Sequence, residues 1–265
     1  QLGPITLQPS EFSKIIMIIA LAAMLEDRVG KLNTVSDILP VLGYVALPFF
    51  LVLKQPDLGT SLVFIAILLG MMFVAGVNLR ILAAGFAAGV AASPLLWLFL
   101  KDYQKMRLKV FLDPSVDPLG SGYHIIQSKI AIGSGLIFGK GLFGGTQSQL
   151  NFLPENHTDF IFAVVGEELG FVGAAALLLL YLVVLWRGVK IARDASDTFG
   201  RLLAVGITSM LAFHVLVNVG MTTGIMPVTG IPLPLMSYGV SSLTTNLIAI
   251  TILLNIHMRK AKFVF

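Results

Sequence analysis

Apolar residues run through this chain in long blocks separated by short polar punctuation. Seven blocks approach the roughly 20 mostly apolar residues that a helix needs to cross a bilayer. They are residues 9–25, 38–53, 58–77, 79–100, 160–186, 202–224 and 236–257, and each predicts a spanning helix. The first two are short, and Pro94 predicts a kink in the fourth. Between the fourth and fifth blocks lies a connection of a different kind, residues 101–159. Structureless loops of such length are usually functional or disordered. Here turn signals (Asp113-Pro114, Asp117-Pro118, Gly120, Gly122) accompany an apolar-periodic stretch, 123–132, which predicts a short helix resting on the bundle. Residues 133–145, GSGLIFGKGLFGG, are glycine-dense. They are not a P-loop, because Ser134 stands where the first Gly of GxxxxGK belongs and Gly141 where Ser or Thr belongs. Nor are they a dinucleotide fingerprint, since no βαβ context surrounds them.

Composition strengthens this picture. Of 265 residues, 56% are hydrophobic and 12% charged, with a mean hydropathy of +0.90, against about one quarter charged in soluble domains. The expected architecture is an all-α polytopic membrane protein with one transmembrane domain over 1–265 and 101–159 as a large loop within it. The net charge of +4 does not point to nucleic acid, because most Lys and Arg flank apolar blocks, where orientation-setting charges belong. The connections 26–37, 78–80, 187–201 and the C-terminal tail fall on one side and hold Arg28, Lys31, Arg80, Arg187, Lys190, Arg193, Arg201, Arg259, Lys260 and Lys262. The short loops of the other side hold Lys54 alone. Basic residues mark the cytoplasmic side and long loops weigh little in that count, so the C-terminus is expected in the cytoplasm and 101–159 outside. With no cysteine there is no disulfide or thiolate chemistry, and His124, His157, His214 and His257 are too scattered for a structural metal. Gln1 opens the sequence without an initiator Met or a basic-then-apolar leader, so a piece of a longer chain is expected, not a signal peptide.

Ionisable groups inside apolar blocks are costly and so draw notice first. Glu11 and Lys14, three apart, share a helix face and fit either a functional site or an ion pair that lets the first helix enter the bundle. Asp57, at the start of the third block, is an ordinary helix-start residue. The densest polar cluster is LPENHTDFIFAVVGEELG, 153–170. Thr158 or Asp159 could cap the helix that follows. Asp159, bordered by Phe160 and Phe162, could equally be a partly desolvated carboxylate acting as a base. Glu167 and Glu168 point about 100° apart, so at most one shares the Asp159 side. His157 reads as a loop hydrogen-bonder. His214 and Asn218, four apart in an apolar block, would satisfy each other or a neighbouring helix.

Several phrases together resemble the SEDS family of bacterial wall synthesis, to which RodA and FtsW belong: QPSEFSK (8–14), QPDLGTS (55–61), DPSVDPLGSGYHIIQSKIAIGSG (113–135), GTQSQLNFLPENHTDFIFAVVGEELG (145–170) and GIPLPLMSYGVSS (230–242). The resemblance covers essentially the whole chain, and GYHIIQSKIAIGSG with GTQSQ is nearer the RodA branch. It implies a ten-helix bundle of which seven helices stand here, so about three preceding helices are expected to be missing. It further implies a glycosyltransferase of the bacterial cytoplasmic (inner) membrane that polymerises lipid II, releases undecaprenyl pyrophosphate and works with a class B penicillin-binding protein. Asp159 matches the proposed catalytic carboxylate, and Glu11, Lys14 and Asp57 match polar positions of the central cavity. Lys14 or Lys129 could meet the leaving pyrophosphate, with a divalent cation (Mg or Mn) as the expected cofactor; His157 and Glu167 complete the expected substrate-binding set. Two positions depart from the family pattern: Asn151 replaces a frequent acid, and Val240 replaces the second Gly of SYGG. A lipid II flippase using Glu11 and Lys14, or a non-catalytic scaffold, are the alternative readings.

Overall fold

The computed structural model describes residues 8–55, 57–118, 120–150 and 152–260; Asn151 and Lys262 lie outside them. Every apolar block folds as a helix. These are α1 (Pro9–Glu26), α2 (Val35–Lys54), α3 (Leu58–Val74), α4 (Leu79–Phe99), α8 (Ile161–Asp194), α9 (Thr198–Thr223) and α10 (Val240–Lys260). The long connection adds α5 (Asp102–Leu112), a 3-10 turn (Pro114–Val116), α6 (Ser121–Ser134) and the single turn α7 (Thr146–Gln149). Among the described residues there is no strand. The helix expected over 123–132 is α6, and α4 continues through Pro94.

Local chemistry explains several starts. Pro9 opens α1, where its missing N–H is no loss. At α2 the Thr34 amide donates to the Asp37 carboxylate at 2.9 Å, one half of a capping box. By length and apolar composition α2, α8, α9 and residues Val240–Arg259 of α10 can cross a membrane. Leu58–Val74 and Leu79–Leu95 are apolar but shorter, and α1 carries Glu11, Lys14 and Glu26. The chain is a multi-pass membrane protein.

Contacts divide it into two compact units, Gln1–Ala91 with Val184–Phe213 and Val240–Phe265, and Ala92–Val183 with His214–Gly239. In the first, α1 packs on α2, α3 and α10, burying Ile18, Leu21 and Leu25 of α1 and Phe64, Ile67 and Met71 of α3. Small residues let helices close up, as is usual where lipid removes the hydrophobic drive between them. A Cβ at Gly70 would fall 2.1 Å from the Ser209 hydroxyl, and one at Gly206 would meet Ile18 and Met71.

In the second unit the glycine-dense segment has a definite task. Within α8 the backbone breaks at Gly170 (φ 65°, ψ −164°). The peptide groups thereby freed are taken up by 136–141: the amides of Phe171 and Val172 donate to the Leu136 and Ile137 carbonyls at 2.9 and 3.0 Å. In return the Lys140 and Gly141 amides donate to the Glu167 and Glu168 carbonyls at 3.0 Å. An unpaired peptide group in an apolar setting costs several kcal/mol, so this exchange is what permits a break in so apolar a helix. It also demands glycine, because a Cβ at Gly139 or Gly170 would strike the backbone of the other segment at 2.1 or 2.3 Å. Gly170→Ala should therefore destabilise the protein by about 1–3 kcal/mol from backbone strain alone, read as a lowered thermal midpoint in detergent. An unchanged midpoint would show that the break is not needed.

Candidate functional site

Leu153–Phe160 forms a tight turn that enters α8. The amides of Thr158 and Phe160 both donate to the Glu155 carbonyl, and Glu155 takes a positive φ of 53°. The first helical bonds of α8 run from Ala163 and Val164 back to the Phe160 carbonyl. Phe160 thus occupies the N-cap position and Asp159 stands one residue outside it, leaving neither Thr158 nor Asp159 where a cap belongs. Phe160 is buried with Leu153, Ala131 and Ala163, which pins one end of the turn and leaves Asp159 half-buried beside it.

The other wall is the segment 230–239. Asn218 of α9 donates through Nδ2 both to the Asp159 carbonyl (2.9 Å) and to the Ile231 carbonyl (2.8 Å). Ser237 donates to the Thr158 carbonyl at 2.6 Å and accepts from the Leu233 amide at 2.7 Å. The Tyr238 amide donates to the His157 carbonyl at 2.8 Å. Tyr181 and His214 reach the Pro234 and Pro232 carbonyls from α8 and α9. Two proline-containing segments with few bonds of their own are thus clamped together by buried polar side chains. At Gly230 (φ 75°) a Cβ would fall 3.3 Å from Asp159 Oδ2, so the carboxylate faces backbone that carries no side chain. Next to Gly230, the Thr229 carbonyl accepts from the Arg107 guanidinium at 3.4 Å, which brings a fixed positive charge from α5 to the same neighbourhood. His157, exposed, lines a cavity of about 360 Å³ with Ile161, Met236 and Tyr238. His124 stacks on Phe160 at 5.9 Å between ring centres. Burial pushes its imidazole below the ordinary value, against the charges of Glu155 and Asp117.

The remaining expected residues sort by their partners. Glu167, fully buried, accepts from the Gln147 and Ser148 amides at 2.9 and 3.0 Å and pairs with Lys140 at 2.9 Å. Its carboxylate thereby holds α7 and the glycine-dense segment against α8. Lys129, exposed, lies against Gly224 at the C-terminal end of α9, where a helix dipole favours a cation. Glu11, Lys14 and Asp57 belong to the other unit. Lys14, 1% exposed, donates to Glu11 at 2.6 Å within the field of Asp57. Asp57 caps α3, accepting from the Thr60 amide at 2.9 Å. Among the described residues no three His, Cys, Asp or Glu side chains form a metal-holding group. Asn218, Ser237, Gly230 and Arg107 were not among the expected site residues. Asn218 did carry a signal, as a polar side chain inside an apolar block.

A family model described as a cell cycle protein, covering FtsW, RodA and SpoVE, matches residues 1–262. The peptidoglycan glycosyltransferase MrdB of Escherichia coli K12 is 46% identical over 260 residues, 98% of this chain and 70% of that protein. Among solved structures, a chain of a peptidoglycan synthase complex that coordinates polymerization and crosslinking aligns with a TM-score of 0.82 at 36% identity, over 99% of this chain and 73% of that one. The rod shape determining protein RodA of Thermus thermophilus aligns with a TM-score of 0.67 at 34% identity, over 99% and 69%. Matched along nearly its whole length, and with the turn at Asp159 and the 230–239 segment that carried the resemblance now packed against each other, this chain belongs to the FtsW, RodA and SpoVE family.

Proposed function

We propose that this chain carries the polymerising centre of a peptidoglycan glycosyltransferase that extends glycan strands from lipid II during cell elongation. The observation that carries the reading is the 46% identity to a peptidoglycan glycosyltransferase across 98% of the chain. The geometry around Asp159 supplies a matching chemistry. The acceptor hydroxyl oxygen attacks the anomeric carbon of the donor, the bond from that carbon to the pyrophosphate oxygen breaks, and the hydroxyl proton passes to the Asp159 carboxylate. Because the linkage inverts, one base suffices and no sugar–enzyme bond forms. Asn218 and Ser237 hold the turn that carries the base. Arg107 brings a guanidinium to the Gly230 side, where negative charge develops on the leaving pyrophosphate. A divalent cation, Mg or Mn, would take most of its ligands from that pyrophosphate, with few from the protein.

Polymerisation of lipid II by the purified full-length protein, with flipping assayed separately in vesicles, tests the reading. Polymer without flipping is expected; flipping without polymer would sink it. A class B penicillin-binding protein is the partner we propose, on the strength of the structural similarity to a complex of polymerization and crosslinking.

The orientation we propose is a bacterial inner-membrane protein with its C-terminus in the cytoplasm and 101–159 outside, on the bias of basic residues. Ser115 and Ser196 are both exposed and fall on opposite sides in this arrangement, and the chain has no cysteine of its own. Ser115→Cys should react with an impermeant thiol reagent on intact cells and Ser196→Cys should not. The reverse pattern would move the Asp159 turn to the cytoplasm and remove it from the wall.

A further inference from the structure

A second cavity, of about 380 Å³, lies wholly within the first unit, far in character from the polar turn at Asp159. Its lining includes Gly70, Phe73 and Val74 at the end of α3, Val205 on α9, and the two cations Arg193 and Arg201. Phe73 is 60% exposed, so the apolar wall is open along its side. The void has a cause in sequence. Gly70 has no side chain because Ser209 comes too close for one, and this leaves the wall beside Phe73 without a side chain of its own.

The two cations are what give this groove an identity. Among the described residues the ion pairs are Lys14 with Glu11 and Lys140 with Glu167, so neither Arg193 nor Arg201 has an acidic partner. The neighbouring cations behave differently: the Arg187 guanidinium and the Lys190 ammonium both lie 5.6 Å from the centre of the exposed Trp186 ring. Of the nearby acids, Asp197 is engaged by the Gly200 amide at 2.8 Å, and Asp194 also has an interaction of its own. Across 187–201 four cations (Arg187, Lys190, Arg193, Arg201) face two anions, a surplus of two. An exposed Trp beside cations is the usual mark of the membrane–water boundary. An apolar slot opening sideways at that depth, with two unpaired guanidiniums at the end, matches an acyl chain joined to a phosphate.

We propose that the groove of α3, α8 and α9 is a binding site for an anionic phospholipid of the surrounding leaflet, its chain along Phe73, Val74 and Val205 and its phosphate on Arg193 and Arg201. Guanidinium suits the phosphate oxygens through paired N–H donors, and basic pockets between membrane helices are the physical setting in which such headgroups are held.

Native mass spectrometry of the full-length protein released from phosphatidylglycerol–phosphatidylethanolamine nanodiscs tests this. The protein should retain phosphatidylglycerol in preference to phosphatidylethanolamine. Arg193→Gln with Arg201→Gln should weaken retention roughly tenfold or more, since each cation near an anionic headgroup contributes about fivefold. Arg187→Gln with Lys190→Gln removes the same charge outside the groove and should leave retention unchanged. Val205→Trp should fill the slot and expel the lipid with both arginines present; if that variant does not fold, the charge pairs still decide. Equal loss in the two double variants would mean a diffuse basic belt and overturn the site. Equal retention of the two lipids, or none of either because another segment or protein covers the groove, would overturn it as well.

Discussion

Asp159→Asn is expected to express, insert and fold like the wild type while making little or no glycan from lipid II. The two side chains have nearly the same shape, and the turn that carries residue 159 is held by several bonds made through its backbone. Those bonds are Asn218 and Ser237 to the Asp159 and Thr158 carbonyls, and the Phe160 amide to Glu155. What the amide cannot do is take up a proton, and general-base assistance is typically worth about 10²–10⁴ in rate. Asp159→Glu should retain partial activity at most, because one methylene displaces the carboxylate toward Gly230, and a misplaced catalytic group can lose about 10²-fold. The measurement is the initial rate of lipid II polymerisation beside a thermal melt of the same preparation. Near-normal polymer from the Asn variant would strip Asp159 of its role. The search for the base would then pass to Glu11 and Asp57, Glu167 being committed to α7 and Lys140.

The second large effect is expected at the ion pair of α1. Lys14→Met leaves Glu11, 4% exposed, without its ammonium partner 2.6 Å away. Breaking a buried pair from one side costs about 3–5 kcal/mol, chiefly because an uncompensated charge stays in a low-dielectric site. Glu11→Gln should also destabilise, by removing the carboxylate that accepts from the buried ammonium. The double variant Glu11→Gln/Lys14→Met removes both charges and should regain most of the lost stability. Its thermal midpoint lies above either single variant if the pair acts as a unit, and an additive loss would refute the coupling. Polymerisation by the double variant separates structure from function. We expect it to stay low; full activity would reduce the pair to a packing device.

How much of this could be read along the chain depends on the range of the forces involved. Apolar length alone determines that 9–25, 160–186 and 202–224 become helices, because in lipid a segment must satisfy its peptide groups internally. Some ends followed from local chemistry, such as the Pro9 start and the Asp57 cap, whereas the helix expected to end at 186 runs on to Asp194, because its polar last turns carry no apolar signal. The spacing of Glu11 and Lys14 made their contact a matter of helix geometry. The family motifs marked Asp159 as a residue to test.

Contacts between distant segments lay beyond that local reading. Residues 153–160 and 230–239 are far apart in sequence, and nothing local reveals that Asn218 and Ser237 would join them. The capping reading of Asp159 could not be weighed from sequence, because the bonds of α8 that begin at the Phe160 carbonyl depend on the turn before it. Glu167 could have paired with a basic residue or bound substrate as far as its sequence went, and its partners Lys140, Gln147 and Ser148 came into view only with the fold. The glycines of 133–145 matched neither a phosphate loop nor a dinucleotide fingerprint and had no role legible in sequence. Their necessity appeared once Gly139 and Gly170 were seen backbone to backbone, since close approach is a property of two segments and cannot be read from one. In this protein, then, the solvent preference of each residue and the hydrogen bonds within one helical turn were determined by sequence. Which turn lies against which loop was decided by tertiary packing, because that energy resides in pairs of segments brought together only by the fold.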